Sequence, residues 1–249
     1  MLAVIGGSGL CKIDGLKVIR REIVRTPYGQ PSEPIVFGEL KNKEIIFLAR
    51  HGANHSIAPH LINYRANIYA LKEVGAKSII SIASVGSILE NINPGDFVVP
   101  HQIIDYTYGR NPSFFDGLGG SVLNHVDFTH PYDESVRQII VEVMSSLKLN
   151  FFKDGVYAAT QGPRLETAAE IIRYEQDGAT IVGMTGMPEA VLAREIELSY
   201  AAICPVANHA AGKGTSREGI SSAVLNHNSK KIIENIVLIL QSLVSQFGY

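Results

Sequence analysis

A chain of 249 residues that is 46% hydrophobic and 18% charged has ample apolar material for a buried sheet and suits one α/β domain, since a single core grows to about 250 residues before chains split. Its 22 basic and 24 acidic residues nearly balance, which excludes a general field for nucleic acid or an anionic membrane and leaves a small molecule as the expected partner. No run reaches the roughly 20 apolar residues of a membrane span; the richest, 232–244, is interrupted by Glu234, Asn235, Gln241 and Ser242.

In chain order, strands are expected at 2–5, 35–40, 44–49, 78–84, 96–99, 155–159, 179–183 and 200–206, where apolar runs end at glycine, proline or small polar residues. Helices are expected at 64–74, 133–146, 167–177, 188–195 and 221–247; in the last, Val224, Ile232, Ile236, Ile239 and Leu243 share one face and should pack on the sheet. The alternation predicts a mixed central β-sheet flanked by helices, in one domain over 1–249. The Gly-rich, aromatic segment 106–128 reads as a long loop serving as a lid or subunit contact, or as a surface excursion. The first apolar run meets Gly6 and Gly7 with no basic segment before it, unlike a signal peptide, and Cys11 and Cys204 cannot make a disulfide framework. A cytoplasmic setting is the expectation.

Several short motifs sit where strands are expected to end. Gly6-Gly7-Ser8-Gly9 permits a tight turn with backbone N–H groups and a hydroxyl free for an anion, but Lys12 breaks a dinucleotide fingerprint. Arg50-His51-Gly52 offers two parallel guanidinium donors to phosphate and an imidazole as a third. A metal site at His51, His55 and His60 is disfavoured because Gly52 and Pro59 oppose the helix that such spacing needs. Ser84 and Thr185 each place a hydroxyl or N–H near the same sheet edge, with a helix cap as the plainer alternative. Glu166 is either a first-turn acid complementing a helix dipole or a reader of a 6-oxopurine edge together with Asn208, whose alternative is closing a turn.

The order of these motifs, with Arg50-His51-Gly52, His55, Pro59, Asn63-Tyr64-Arg65-Ala66-Asn67-Ile68, Gly162-Pro163-Arg164 and Met184-Thr185-x-x-Pro188-Glu189-Ala190, resembles the purine nucleoside phosphorylase and methylthioadenosine phosphorylase family of trimeric enzymes. The resemblance runs from Gly6 to about Leu225 and is nearest the methylthio branch. It implies a nucleoside phosphorylase fold, a homotrimer, and a phosphate site of Ser8, Arg50, His51, Ser84 and Thr185 with Met184 at the ribose. Ala83 and Ser84 depart from the family's usual Thr or Asn followed by Ala.

Adenine-specific members carry an Asp-x-Asp where this chain has Asn208-His209-Ala210, whereas the 6-oxopurine members pair an Asn with a Glu, matching Asn208 and Glu166. The resemblance therefore implies catalytic roles for Asn208 and Glu166, with His209 and Ala210 beside the base. His125, lent by a neighbouring subunit, Ile220 and Ser221 fall at the 5′ group, where Ser221 matches neither the His of ordinary purine nucleoside phosphorylases nor the apolar residue of methylthio enzymes. The implied reaction is phosphorolysis of S-methyl-5′-thioinosine to hypoxanthine and 5-methylthioribose 1-phosphate in purine salvage, with no metal or cofactor and phosphate as co-substrate. The alternatives are phosphorolysis of S-methyl-5′-thioadenosine or of inosine and guanosine, hydrolysis by a nucleosidase, and a non-catalytic nucleoside-binding module.

Overall fold

The computed structural model describes residues 1–7, 15–115, 123–220 and 229–247. Its strands and helices follow in the order β1 (Leu2–Gly6), β2 (Lys17–Glu22), β3 (Ile35–Leu40), β4 (Lys43–Ala49), α1 (Tyr64–Glu73), β5 (Ser78–Ile82), β6 (Val85–Ser87), β7 (Phe97–Val98) and β8 (Gln102–Asp105). They continue with α2 (Glu134–Ser146), β9 (Phe151–Phe152), β10 (Val156–Ala159), α3 (Ala168–Gln176), β11 (Ile181–Gly183), α4 (Gly186–Glu195), β12 (Ser199–His209) and α5 (Ser229–Leu243). The strands form a mixed sheet in the order β2-β3-β4-β1-β5-β12-β6-β11-β10-β8, with β7 joined to β12 and β9.

β1 lies between β4 and β5 and is parallel to both, which is why its apolar run is continuous rather than alternating. Its side chains divide between two layers. Ala3 and Ile5 join the cluster holding Ile68 and Leu71 of α1 and Leu192 of α4, while Leu2 and Val4 join Val136 and Ile140 of α2 and Ile236 and Leu243 of α5. Helices thus cover both faces, as the period-2 alternation of a strand requires. The β3–β4 hairpin turns through Lys41 and Asn42, both at positive φ (52° and 60°), the backbone of a two-residue turn matched to strand twist.

Several features differ from the sequence expectations. β5 ends at Ile82, not at residue 84, and Val85–Ser87 forms a strand of its own between β12 and β11. β12 runs on to His209, pairing first with β5 and then with β6, with a register shift between Val206 and Asn208 that marks a bulge. β2 is exposed at every residue, so it carries no apolar period to read. β8 and β9 are too short for one. Residues 106–115 and 123–128 have no regular structure, as expected of a long loop, and the final helix is described from Ser229, leaving Val224 outside the described residues.

Candidate active site

A cavity of about 380 Å³ opens where the ends of β1, β4 and β5 meet β12, β6 and β11. Ligand sites of open α/β sheets collect at strand carboxyl ends because loops there diverge and leave backbone groups unpaired. Gly7 follows β1, Arg50 and His51 follow β4, Ala83 and Ser84 fill the break between β5 and β6, Met184 and Thr185 follow β11, and Asn208 closes β12; all line this one space. Glu166, Ala210 and Ile220 line it as well. Ser8 and Ser221 lie outside the described residues.

Arg50 is buried, and its fork does not face the cavity as expected for a bidentate phosphate clamp. Nε donates to Glu189 Oε1 at 2.7 Å, Nη2 to Glu189 Oε2 at 2.9 Å and to Ser81 Oγ at 2.6 Å, and Nη1 to Ile82 O at 3.2 Å. Those contacts occupy all but one of the guanidinium's N–H groups, which is on Nη1. Burial opposes the Arg50 charge, but Glu189, itself fully buried, raises its pKa above the ordinary value. Ser81 Oγ and Tyr200 Oη also donate to Glu189 Oε2, at 2.9 and 2.8 Å, so the carboxylate is held from three directions.

His51 Nδ1 lies 2.9 Å from Ile57 O; a carbonyl only accepts, so Nδ1 carries the proton. Burial, outweighing the Ile57 bond, lowers its pKa from 6.5 to about 4. The neutral ring therefore offers Nε2 as an acceptor, and the extra donor expected of this imidazole exists only in the charged ring. The His55 ring packs 4.3 Å from it and lines the cavity too. Among the described residues, no group of three or more His, Cys, Asp or Glu is placed to hold a metal ion.

Thr185 caps α4 without a side-chain capping bond, leaving its hydroxyl uncommitted to the helix, while its N–H donates to Tyr157 Oη at 3.4 Å. Gly183, also in the cavity wall, is required by that tyrosine: a Cβ there would lie 2.2 Å from Tyr157 Oη.

Glu166 is not a first-turn acid. α3 begins at Ala168 with Thr167 as its N-cap, and Glu170 completes the capping box, so Glu166 precedes the helix altogether. Asn208 is buried beside Gly86, and its Nδ2 donates to His209 O at 2.6 Å. Asn208 and Ala210 line the cavity and His209 between them does not, as strand alternation requires, while the bulge between Val206 and Asn208 lets the adjacent Ala207 line it too. The His209 Nδ1 instead meets Thr215 Oγ1 at 3.0 Å, which corrects its expected place beside the base. His125 is exposed and outside the cavity wall of its own chain.

Sequence reasoning missed Arg110. From the long loop it donates to the carbonyls of Met184 (2.8 Å), Met187 (2.6 Å), Thr160 (3.1 Å) and Gln161 (2.8 Å), to Gln161 Oε1 (3.2 Å) and to Tyr64 Oη (3.1 Å). One side chain thus ties the segments before Thr185 and before Glu166 together. An arginine amid Gly, Asn and Pro in an aperiodic segment gives no local signal of this. Glu189 stood in a recognised motif, but its burial against Arg50 is a tertiary fact.

The sequence signature of the Phosphorylase superfamily matches residues 1–241. The chain belongs to that superfamily. A probable S-methyl-5′-thioinosine phosphorylase of Pseudomonas syringae pv. tomato is 51% identical over 215 residues, covering 86% of this chain and 87% of the relative. The 6-oxopurine nucleoside phosphorylase of Pyrococcus furiosus is 43% identical over 246 residues, 97% of this chain and 91% of that one. Among solved structures, the methylthioadenosine phosphorylase from Schistosoma mansoni in complex with adenine superposes with a TM-score of 0.92 at 31% identity, covering 99% of this chain and 91% of its own.

Proposed function

We propose that this protein cleaves S-methyl-5′-thioinosine by phosphorolysis, releasing hypoxanthine and 5-methylthioribose 1-phosphate for purine salvage. The observation that carries the reading is one cavity holding both Asn208 with Glu166 and Arg50 with Ser84 and Thr185. A carboxylate accepts and a primary amide both donates and accepts, which suits the N1–H, O6 and N7 of a 6-oxopurine. Adenine presents an unprotonated N1 and an amino donor, leaving Glu166 mispaired at a cost of about 1–3 kcal/mol. The probable S-methyl-5′-thioinosine phosphorylase relatives support the same assignment.

Cleavage of the glycosidic bond builds positive charge on the ribose and negative charge on the departing base. In this reading phosphate, held by Ser8, Arg50, His51, Ser84 and Thr185, is the nucleophile and offsets the first charge. Asn208 donates to N7 as the second develops, and Glu166 fixes the base; neither forms a covalent bond. Met184, Leu165 and Ile220 supply apolar wall for the sugar and its 5′-methylthio group. The reaction needs no cofactor beyond inorganic phosphate.

We further propose one phosphorylase domain acting as a cytoplasmic homotrimer. The exposed Leu61, Tyr108 and Leu123 support a subunit contact, and His125, outside its own chain's cavity wall, would serve the neighbouring site. Among the described residues, no helix is long and apolar enough to cross a membrane.

A second reading, a general 6-oxopurine nucleoside phosphorylase, is favoured by the similarity to the Pyrococcus furiosus enzyme. Steady-state rates on methylthioinosine, methylthioadenosine and inosine, with and without phosphate, test both. The highest kcat/KM on methylthioinosine with phosphate is expected. Preference for methylthioadenosine overturns the base assignment, preference for inosine selects the second reading, and phosphate-independent base release makes the protein a nucleosidase.

A further inference from the structure

We propose that Thr160 is a positioning residue for base recognition, its hydroxyl holding the Glu166 carboxylate in the orientation from which it accepts from the purine N1–H. The inference rests on the reading of Glu166 as the base-site carboxylate.

Thr160 Oγ1 lies 2.6 Å from Glu166 Oε1 and 3.3 Å from Gly183 O. A hydroxyl has one proton, and the short contact to the carboxylate takes it. Among the described residues, Glu166 has no other hydrogen-bond partner. The nearest cation in sequence, Arg164, is spent on Glu170 through Nη1 at 2.8 Å and Nη2 at 2.7 Å. A glutamate ahead of its helix, with three rotatable bonds and no ion pair, would otherwise sample many rotamers and lose them on binding. Thr160 removes that freedom while leaving Oε2 open.

Thr160 is itself suited to the task. It is buried directly after β10, its N–H donates to Gly183 O at 2.8 Å, and its carbonyl accepts from Arg110 Nη2 at 3.1 Å. The backbone bearing the hydroxyl is therefore fixed on both sides. The bond joins the end of β10 to the segment before α3, and the cavity wall at Gly183 is in the same contact.

The test compares Thr160→Val, which keeps the shape and deletes the donor, with Thr160→Ser, which keeps the donor and deletes a methyl group. Each is made in the wild-type and Glu166→Ala backgrounds, and KM for methylthioinosine, KM for phosphate, kcat and thermal midpoint are measured. Thr160→Val is expected to raise nucleoside KM about tenfold with phosphate KM unchanged, and Thr160→Ser to stay within about twofold of wild type. In the Glu166→Ala background, where no acceptor faces the Thr160 hydroxyl, the Thr160→Val effect should vanish, since the two groups act as one unit.

Equal damage from Val and Ser, or a Val effect that persists without the Glu166 carboxylate, means packing alone and overturns the proposal, as does a folded Thr160→Val enzyme with wild-type nucleoside KM. If Glu166→Ala by itself leaves nucleoside KM and base preference unchanged, the base-site reading fails first. Should Thr160→Val not fold, Thr160→Ala deletes the same donor and carries the same expectation.

Discussion

Arg50 and Glu189, 139 positions apart, meet as a buried fork in which Nε and Nη2 each donate to a separate carboxylate oxygen, at 2.7 and 2.9 Å. Arg50 is part of the cavity wall and Glu189 lies behind it, with Ser81 and Tyr200 completing the shell around the carboxylate. A guanidinium held this way keeps its charge and orientation, but it has one N–H left to offer a ligand.

Removing Glu189 would leave Arg50 buried without its counter-charge. Glu189→Ala is therefore expected to lower unfolding free energy by about 3–5 kcal/mol, read as a reduced urea midpoint at unchanged slope. Any protein that remains folded should need more phosphate for half-maximal rate, because Arg50 is no longer aimed. An unchanged midpoint would count against the fork as a structural unit.

His51 titrates at about 4 in the folded chain against 6.5 ordinarily, because burial disfavours its charged form. Between those values the unfolded chain binds a proton that the folded chain refuses, so stability falls as pH drops through 6.5 and this loss levels off below about 4. The thermal midpoint of His51→Gln should accordingly fall less steeply than wild type between pH 6.5 and 4. Parallel curves for the two proteins would refute this assignment.

Asn208 faces the cavity from the bulged end of β12. Asn208→Asp exchanges an amide that can donate for a carboxylate that accepts from the 6-amino group of adenine and, once the departing base is protonated at N7, from its N7–H. The ratio of kcat/KM for methylthioinosine over methylthioadenosine should drop by roughly tenfold or more. An unaltered ratio would remove Asn208 from base selection.

Arg110 spans six oxygens on both flanks of the cavity, four of them backbone carbonyls. Its planar fork cannot be reproduced by an ammonium group. Both Arg110→Ala and Arg110→Lys are expected to lower kcat/KM about tenfold to a hundredfold, raising KM for nucleoside and phosphate together. Full activity in the lysine variant would show that charge alone suffices.

Much of the fold is legible in the sequence, since buried parallel strands such as β1 and β5 are continuous apolar runs and helices such as α2 and α3 carry a 3.6-residue period with Asp133 and Thr167 as caps. The exposed β2 and the three-residue β6 carry no such period, which is why neither is legible as a strand. The motifs around Arg50, Ser84, Thr185, Glu166 and Asn208 are likewise legible, because strand ends in an α/β sheet are where ligand groups gather.

The sequence by itself thus determined the mixed sheet between helices, the superfamily, and which stretches of chain line the cavity. Tertiary structure alone decided where the side chains point. The parity and bulge of β12 turn Asn208 inward and His209 away; Glu189, not the cavity, receives the Arg50 fork; and Arg110 and Thr160 brace segments about 50 to 75 residues distant and six residues distant respectively. Local periodicity records burial one segment at a time, whereas a side-chain hydrogen bond between two segments, near or far in sequence, depends on how both are placed, which no period of apolar residues records.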